Sequence, residues 1–600
     1  MAPSPIARSL VALLFLGQLG AVVWFDRASR KAVAVQPGAS LGLKLTERSR
    51  ELGIHFTHRE TTLDPRIDNI AAHVSGMGAA VALVDFDGDG WTDLYATSSR
   101  FGSPNALYRN VQGRFSDVAG ELGLADLNRE GDGVSMGSVW ADVDGDGRED
   151  VFVYRWGFQK LLLNRGDRFE DVSERSGLRR WMNANSACWL DYDRDGDVDL
   201  YVAGYFRDDI DMWNLASTRI MQSSFEFATN GGHNVLFRNR GDGTFEDVTA
   251  AMGCDSTRWS LAVAAADMDG DGWIDLYVAN DYGPEELFKN RNGERFELLG
   301  GIGLEESSKS GMSVTLGDFE NEGRYGVYVT NISKERYLFQ GNNLRRNRLA
   351  DRGKLYNIAD ASSSAARAIV DCGWAWGAQF GDLDNDGRLD LYVVNGFVSA
   401  SKEHDYWYGM SKVAGGAGEI FEDATKWEPM GDRSLSGYEP SRVLLNEGQG
   451  KFRDVAAAVG VDDLYDGRAV AFADLSNRGA LDAIVANQKG PLLVYSNEVD
   501  PAREWVQLKL RARGQNTAAI GAEVELEWLR TDGAGERAHK QVQCVQAGSG
   551  FCAQNDRRLH FGLGAGAQVR SAVVRWPSGH VQVLRNLATR QLHVIEEPQP

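Results

Sequence analysis

Along most of this chain, short apolar runs alternate with small polar turns. Val81-Ala82-Leu83-Val84 leads into one such turn, and Leu276-Tyr277-Val278-Ala279-Asn280 leaves another. Runs of this length, rich in Val, Leu and Tyr and bounded by Asp and Gly, predict short strands joined by tight hairpins. A third apolar piece follows each pair: Leu107-Tyr108-Arg109-Asn110, Leu161-Leu162-Leu163-Asn164, Leu236-Phe237-Arg238-Asn239, Leu287-Phe288-Lys289-Asn290 and Leu444-Leu445-Asn446. A fourth starts at Phe115, Phe169, Phe245 and Phe452, each with Asp-Val two residues on. Four strand-like pieces per unit predict the blade of a β-propeller.

The turn between the first two pieces is acidic in a fixed pattern. It places Asp85, Asp87, Asp89 and Asp93 in the first unit, and Asp142, Asp144, Asp146 and Asp150 in the second. Asp191, Asp193, Asp195 and Asp199 follow, then Asp267, Asp269, Asp271 and Asp275, then Asp382, Asp384, Asp386 and Asp390. Carboxylates at positions 1, 3, 5 and 9 with Gly at 6 bring hard oxygen donors round one point. Such donors, without Cys or His, predict Ca²⁺, in about five structural sites that hold the blade hairpins. The fourth-piece Phe lies 22 residues before the next loop at Phe169 and Asp191, and again at Phe245 and Asp267. The same interval runs from Phe296 to Asp318 and from Phe452 to Asp474, and exposes two decayed loops. One lacks the last carboxylate, with Gly326 in its place; in the other, Arg478 is positioned to put its own charge where an ion would sit. The count is seven units, five with a full ligand set.

The array opens on Leu45-Thr46-Glu47, which matches a fourth piece, and stops near Val494-Tyr495-Ser496-Asn497, which lacks one. A ring closed by the N-terminal strand explains the offset and removes exposed sheet edges. The fold class is therefore all-β: a seven-bladed propeller over residues 41–500 and a small β domain over 501–600. Long inserts near Tyr205–Gly232, Ile332–Asp371 and Phe397–Pro440 carry Tyr205, Phe206, Trp213, Tyr337, Tyr406, Trp407, Tyr408, Trp427 and Tyr438. Aromatic inserts on a rigid ring predict a binding face, the alternative being covers over the channel.

Charge and cysteine content narrow the function. Lys plus Arg number 64 and Asp plus Glu 85, a net charge of −21, which argues against nucleic acid. Arg8 and the apolar run Leu10–Phe25 predict export through a signal peptide or retained membrane anchor within residues 1–40. The expected location is secreted, periplasmic or anchored at the outer membrane face. The five cysteines form no CxxC motif, but Cys544 and Cys552 flank a turn-like Gly548-Ser549-Gly550 and are placed for a hairpin disulfide or for two free thiols.

The loops with their Asp390-Leu391-Tyr392-Val393 strands resemble FG-GAP/VCBS repeats. The tail resembles the ASPIC/UnbV domain in Ala519–Val524, Gly548-Ser549-Gly550-Phe551, Gln554-Asn555, Leu559–Gly564 and Val574–Gly579. Together they resemble the cartilage acidic protein-like family. That resemblance implies seven-bladed propellers with Ca²⁺ in the blade loops, secretion, and adhesion or matrix interaction. Gly133-Val-Ser135-Met-Gly137 matches a nucleophile-elbow string but sits where a first strand belongs. His55, His58 and His73 are close in sequence, with nothing that makes them converge on a metal. The first functional reading is a Ca²⁺-binding adhesion module for a glycan or protein ligand. The alternative is a cell-envelope enzyme, a polysaccharide lyase or oxidoreductase, using the propeller funnel; no complete catalytic constellation supports it.

Overall fold

The computed structural model describes residues 41–305, 309–359, 364–416, 419–532 and 535–599. The targeting segment expected over residues 1–40 lies outside them. The chain is all-β, and the four-piece units of the sequence are antiparallel sets of strands. The first is Ala80–Val84, Asp93–Thr97, Ala106–Val111 and Arg114–Asp117, and the second Gly133–Ala141, Asp150–Phe158, Lys160–Asn164 and Phe169–Asp171. Trp181–Leu190, Asp199–Phe206, Val235–Asn239 and Phe245–Asp247 come next, then Trp259–Ala266, Asp275–Asp281, Glu286–Asn290 and Phe296–Leu298. Val314–Gly317, Gly326–Val329, Asn343–Arg348 and Lys354–Asn357 follow, then Ala375–Gly381, Asp390–Asn395, Arg442–Gly448 and Lys451–Asp454. In the last set, Asp466–Ala473, Asp482–Gln488 and Leu493–Val499 are completed by the N-terminal strand Leu43–Glu47, with Leu43 opposite Val499 and Glu47 opposite Tyr495. One departure from independent units is clear. Trp181, Met182 and Asn183 pair with Phe158, Gly157 and Trp156, fusing the second and third sets into one eight-stranded sheet.

The first strands pack side by side in sequence order, and the first strand of the last set packs back against Ala80–Val84. The architecture is β-propeller-like. Two repeated side-chain devices tie neighbouring sets together. The Asn that ends each third strand reaches into the preceding set and donates to a carbonyl in its acidic loop. Asn164 bonds Phe86 O (2.9 Å), Asn239 Val143 O (3.2 Å), Asn290 Tyr192 O (2.8 Å) and Asn347 Met268 O (2.7 Å). Asn446 bonds Phe319 O (2.8 Å), Asn497 Leu383 O (2.7 Å), and Asn110 returns to Leu475 O (3.0 Å). Each such bond gives a backbone carbonyl of the preceding loop a side-chain donor from the next set. Asn290→Ala is expected to cost about 1–3 kcal/mol in denaturant unfolding, because it leaves Tyr192 O and Ile274 O without this donor. The second device is the glycine eight residues after the fourth-strand Phe, or after Leu45 in the N-terminal strand. Gly53, eight residues after Leu45, closes a one-turn helix at φ +99°, and a Cβ there would lie 2.4 Å from Phe115 O in the next set. No other residue fits both conditions.

The C-terminal region is two sheets sharing a core of Val506, Leu508, Val524, Trp528, Phe561 and Val574. Arg503–Arg511 lies between Leu559–Ala565 and Gln591–Glu596 in one; Gly535–Cys544, Glu523–Asp532, Ala567–Arg575 and Val581–Arg585 form the other. It is not a detached domain. Residues 547–557 leave it and enter the ring. Ala553 and Gln554 pair in parallel with Val81 and Ala82, Trp189 N donates to Ala547 O (2.9 Å), and Gly550 N donates to Val314 O (2.9 Å). Phe551 is fully buried against Trp376, ring centroids 5.0 Å apart. The segment therefore touches the first, third, fifth and sixth sets, and it plugs the middle of the ring.

The inserts close the opposite side. Tyr205, Phe206, Tyr406, Trp407 and Trp427 are buried in the main core. Phe225 packs on Phe421 and Trp427, His73 lies between Phe397 and Trp427, and Trp407 packs on Trp374. Most of the aromatic residues expected to form a binding face instead form the inside of a lid, because only mutual packing hides that much apolar area. Tyr337 and Tyr408 remain outside, 52% and 66% exposed. No helix among the described residues is long and apolar enough to cross a membrane.

Candidate functional site: acidic loops beneath the C-terminal sheets

Five loops bring three carboxylates each within 4.8 Å of one another: Asp85, Asp87, Asp93; Asp142, Asp144, Asp146; Asp191, Asp193, Asp199; Asp267, Asp269, Asp271; and Asp382, Asp384, Asp390. They are the five loops that the sequence marks as complete. Asp89 and Asp195 stand outside the triplets, accepting from Trp91 N (2.8 Å) and Asp197 N (2.9 Å). Asp386 does the same for Arg388 N at 3.0 Å.

The ninth-position Asp has a second task that the spacing did not reveal. One oxygen accepts from the amide after the first Asp, the other from the third-strand Asn. Asp93 takes Phe86 N (3.1 Å) and Asn110 N (2.7 Å), and Asp150 takes Val143 N (3.0 Å) and Asn164 N (2.7 Å). Asp275 takes Met268 N (3.0 Å) and Asn290 N (2.8 Å). Asp199 and Asp390 make the same pair of bonds, so the ninth carboxylate staples strands in all five loops, whether it belongs to the triplet, as Asp93, Asp199 and Asp390 do, or not, as with Asp150 and Asp275. The Asn at the end of each third piece was the available signal.

Burial and mutual repulsion raise these carboxyls. Burial pushes Asp93, Asp150 and Asp275 to about 8, and burial with Asp195 and Asp193 pushes Asp191 to about 7. Asp382 and Asp390 are likewise driven up, by burial first and by their neighbouring Asp residues next. Asp85, Asp144, Asp191 and Asp269 each hold one buried oxygen, Oδ1, without a hydrogen-bond partner. Native folds rarely leave such atoms alone. A hard divalent cation fits this donor set, since it supplies both the missing partner and the missing charge.

The two decayed loops are satisfied differently. Arg478 Nη2 reaches Asp482 Oδ1 at 2.9 Å, so the chain's own cation stands in the seventh loop. In the fifth, Asp318 accepts from Glu322 N, Gly323 N and Val542 N at 2.8, 2.8 and 3.1 Å.

The C-terminal sheets lie on these loops. Alternate residues of the strand Arg503–Arg511 face three successive loops: Arg503 pairs with Asp384 (2.7 Å), Gln507 donates to Asp474 (3.1 Å), and Lys509 pairs with Asp85 (2.9 Å). Thr517 donates to Asp142 at 2.8 Å. A period of two along one strand face explains the alternation.

The other motifs resolve plainly. Ser135 is fully buried in the first strand of its set, between Asn128 and Asn105, and is no exposed nucleophile. His58 meets Ser99 Oγ at 3.2 Å, His73 sits among rings, and neither joins a ligand cluster among the described residues. All five cysteines are free thiols. The Cys544–Cys552 hairpin does not form, because Cys552 has gone into the ring, where its thiol reaches Asn185 O at 3.5 Å.

The FG-GAP-like repeat family matches residues 85–153, 142–202, 227–278 and 267–329, and the ASPIC and UnbV family matches residues 512–600. Human cartilage acidic protein 1 is 23% identical over 584 residues, 92% of this chain and 77% of that one. The Xenopus tropicalis protein of the same name is 22% identical over 543 residues, 86% and 73% of the two chains. Among solved structures, an Agrocybe aegerita lectin described as recognising non-reducing terminal N-acetylglucosamine aligns with TM-score 0.33 and 15% identity, over 64% of this chain and 84% of that one.

Proposed function

We propose, from the premise that the chain belongs to the family that joins FG-GAP-like repeats to an ASPIC and UnbV domain, that it is an exported Ca²⁺-binding module for an extracellular protein or glycan. Its ring is a seven-bladed propeller over residues 41–500, with residues 501–600 as the appended β domain. Ca²⁺ occupies the five complete loops as a structural ion. The support for the ions is the convergence of carboxylates in all five loops and, in four of them, a buried Oδ1 without a partner. The support for seven blades is the Asn ladder that returns from the first set to the last. Export rests on Arg8 and the apolar run Leu10–Phe25, and the relatives' name, cartilage acidic protein, is consistent with it.

The observation that carries binding over catalysis is the plug. An enzyme working through the funnel needs an open channel, and residues 547–557 fill it while the inserts pack into a lid. The partner face is assigned to the outer surface of the inserts, where Tyr337, Phe339 and Tyr408 stand 52%, 45% and 66% exposed.

Ca²⁺ in excess over a chelator is expected to raise the melting temperature by several degrees. A hundredfold excess over Kd adds about 2.7 kcal/mol per site. Superimposable melts with and without Ca²⁺ would sink the ion reading. Asp269→Ala should remove part of that gain, and Asp318→Ala none of it. The binding reading is tested on a glycan and matrix-protein panel. Retention that survives Tyr337→Ala with Tyr408→Ala would move the ligand face elsewhere, and no retention at all would count against the binding role.

A further inference from the structure

The five complete loops are not equivalent. In four of them a side-chain cation already sits on a ligand carboxylate. Lys509 and Arg109 hold Asp85 and Asp87, each at 2.9 Å. Arg165 holds Asp144 at 3.0 Å, and Arg148 holds Asp146. Lys289 bridges Asp269 and Asp271, 2.9 Å from the latter. Arg503 holds Asp384 at 2.7 Å, and Arg388 holds Asp386.

The third loop is the exception. Among the described residues no ion pair reaches Asp191, Asp193, Asp195, Asp197 or Asp199. The basic residues nearby are committed elsewhere. Arg194, inside the loop, turns outward to stack on Trp273 of the next loop, 4.1 Å from its centroid, and donates to Gly272 O. Arg238 pairs with Glu246 at 3.5 Å, and its charge reaches Asp193 without forming an ion pair there. Position 7 adds to the contrast. Where the second and sixth loops carry Arg148 and Arg388, which neutralise their own fifth-position Asp, the third carries Asp197. Asp191 is 4% exposed, and its Oδ1 has no partner. An open cavity of about 600 Å³ lies alongside, lined by Asp191, Arg194, Asp195, Arg513, His580 and Glu597, so the loop is reached from solvent past two arginines that make no ion pair with it.

We propose that the loop of Asp191, Asp193 and Asp199 is the primary divalent-cation site, filled first and held most tightly, and that in the other four loops the ion competes with the chain's own ammonium and guanidinium groups. This rests on the Ca²⁺ reading above. The physical ground is direct: an incoming ion must displace a paired cation in four loops and displaces none in the third, where it also meets one more carboxylate. Loops one and six are doubly marked, because Lys509 and Arg503 belong to the C-terminal strand that docks on them.

The test is calorimetric titration of the chelator-stripped full chain with CaCl₂, and with Tb³⁺ read by tryptophan-sensitised emission. The first equivalent is expected to bind at least about tenfold more tightly than those that follow. Asp191→Asn with Asp193→Asn should abolish that first phase while the later ones stay, in a variant shown folded by circular dichroism. Trp273 stands in the fourth loop and beside Asp193 of the third, so its sensitised emission reports filling of either loop, and the Asp→Asn pairs assign which of the two fills first. Lys289→Gln should tighten one of the weak phases. A first phase that survives Asp191→Asn/Asp193→Asn but disappears in Asp267→Asn/Asp269→Asn overturns the ranking and leaves the Ca²⁺ reading standing. The absence of any binding overturns both.

Discussion

Phe551→Ala is expected to lower the unfolding free energy by about 3–5 kcal/mol, more than any substitution of a single residue on the outer strands. Phe551 is fully buried and packs on Trp376, in a segment whose neighbours come from several sets of the ring. Its removal leaves a cavity at the one place where those sets and the C-terminal sheets share a core. The plug also predicts how the molecule unfolds. Ile520, Ala547, Phe551, Cys552 and Ala553 belong to the core of the ring, although the chain around them belongs to the C-terminal sheets. Ring and tail should therefore melt in one calorimetric transition. Loosening the plug should split it into two. Gly548→Val is the sharper probe: Gly548 has φ +106°, and a Cβ there would lie 2.4 Å from Ala187 O. Val583→Ala, on the exposed edge strand of the tail, serves as control and should move stability by about 0.5 kcal/mol or less. A Phe551→Ala protein that melts with the control, in one transition, would refute the central role given to the plug.

The repeating parts of this structure were legible because each is local. An acidic loop needs Asp at fixed offsets, and its flanking strands follow within a few residues, so the Phe-to-Asp interval recovered even loops that had lost their ligands. The glycine eight residues after each Phe was visible as spacing alone. Its reason, a left-handed φ at a helix end pressed on the next set's backbone, needs the neighbour. The same holds for Asn110, Asn164 and their counterparts, which the sequence shows as strand ends and the structure shows as bonds to the preceding loop. What could not be read were contacts between residues hundreds of positions apart. Gly548-Ser549-Gly550-Phe551 has the composition of a hairpin turn, and only the ring around it explains why two glycines are needed there. The inserts were misleading for a related reason. Aromatic content does not distinguish a surface that waits for a partner from one that has already found the other inserts, and Trp407 and Trp427 are of the second kind. The dual use of Asp150 and Asp275 was hidden as well, since a ligand and a backbone acceptor call for the same carboxylate.

Three histidines that the fold keeps neutral are expected to withdraw stability as the pH falls from 6.5 toward 4.5. Burial lowers His58 to about 3, helped by the charges of Arg468 and Lys489. Burial alone lowers His73 to about 4, and burial with Arg558 lowers His560 to about 3. Among the described residues no carboxylate pairs with any of the three: His58 meets Ser99 and two cations, His73 the rings of Phe397 and Trp427, and His560 Arg558, Gln507 and Asn385. The unfolded chain takes up a proton on each near pH 6.5, and the folded chain does not. Stability is therefore full above that value and falls as pH drops toward the folded pKa, by about 1.4 kcal/mol per pH unit for each histidine. The raised loop carboxyls act in the opposite sense when no ion is bound, since the fold then gains protons on them. Difference curves separate the two contributions. Denaturant unfolding of the full chain and of His73→Leu, each followed from pH 7.5 to 4.5 in chelator, shares the carboxylates and differs by one histidine. The His73→Leu curve should lose stability less steeply by about 1.4 kcal/mol per unit over the range between the two pKa values, and His58→Gln should show the same relief. Parallel curves would mean that these histidines protonate in the folded protein as they do in the unfolded one. The aromatic lid and the space beside Arg468 would then have to admit charge and water that the packing described here excludes.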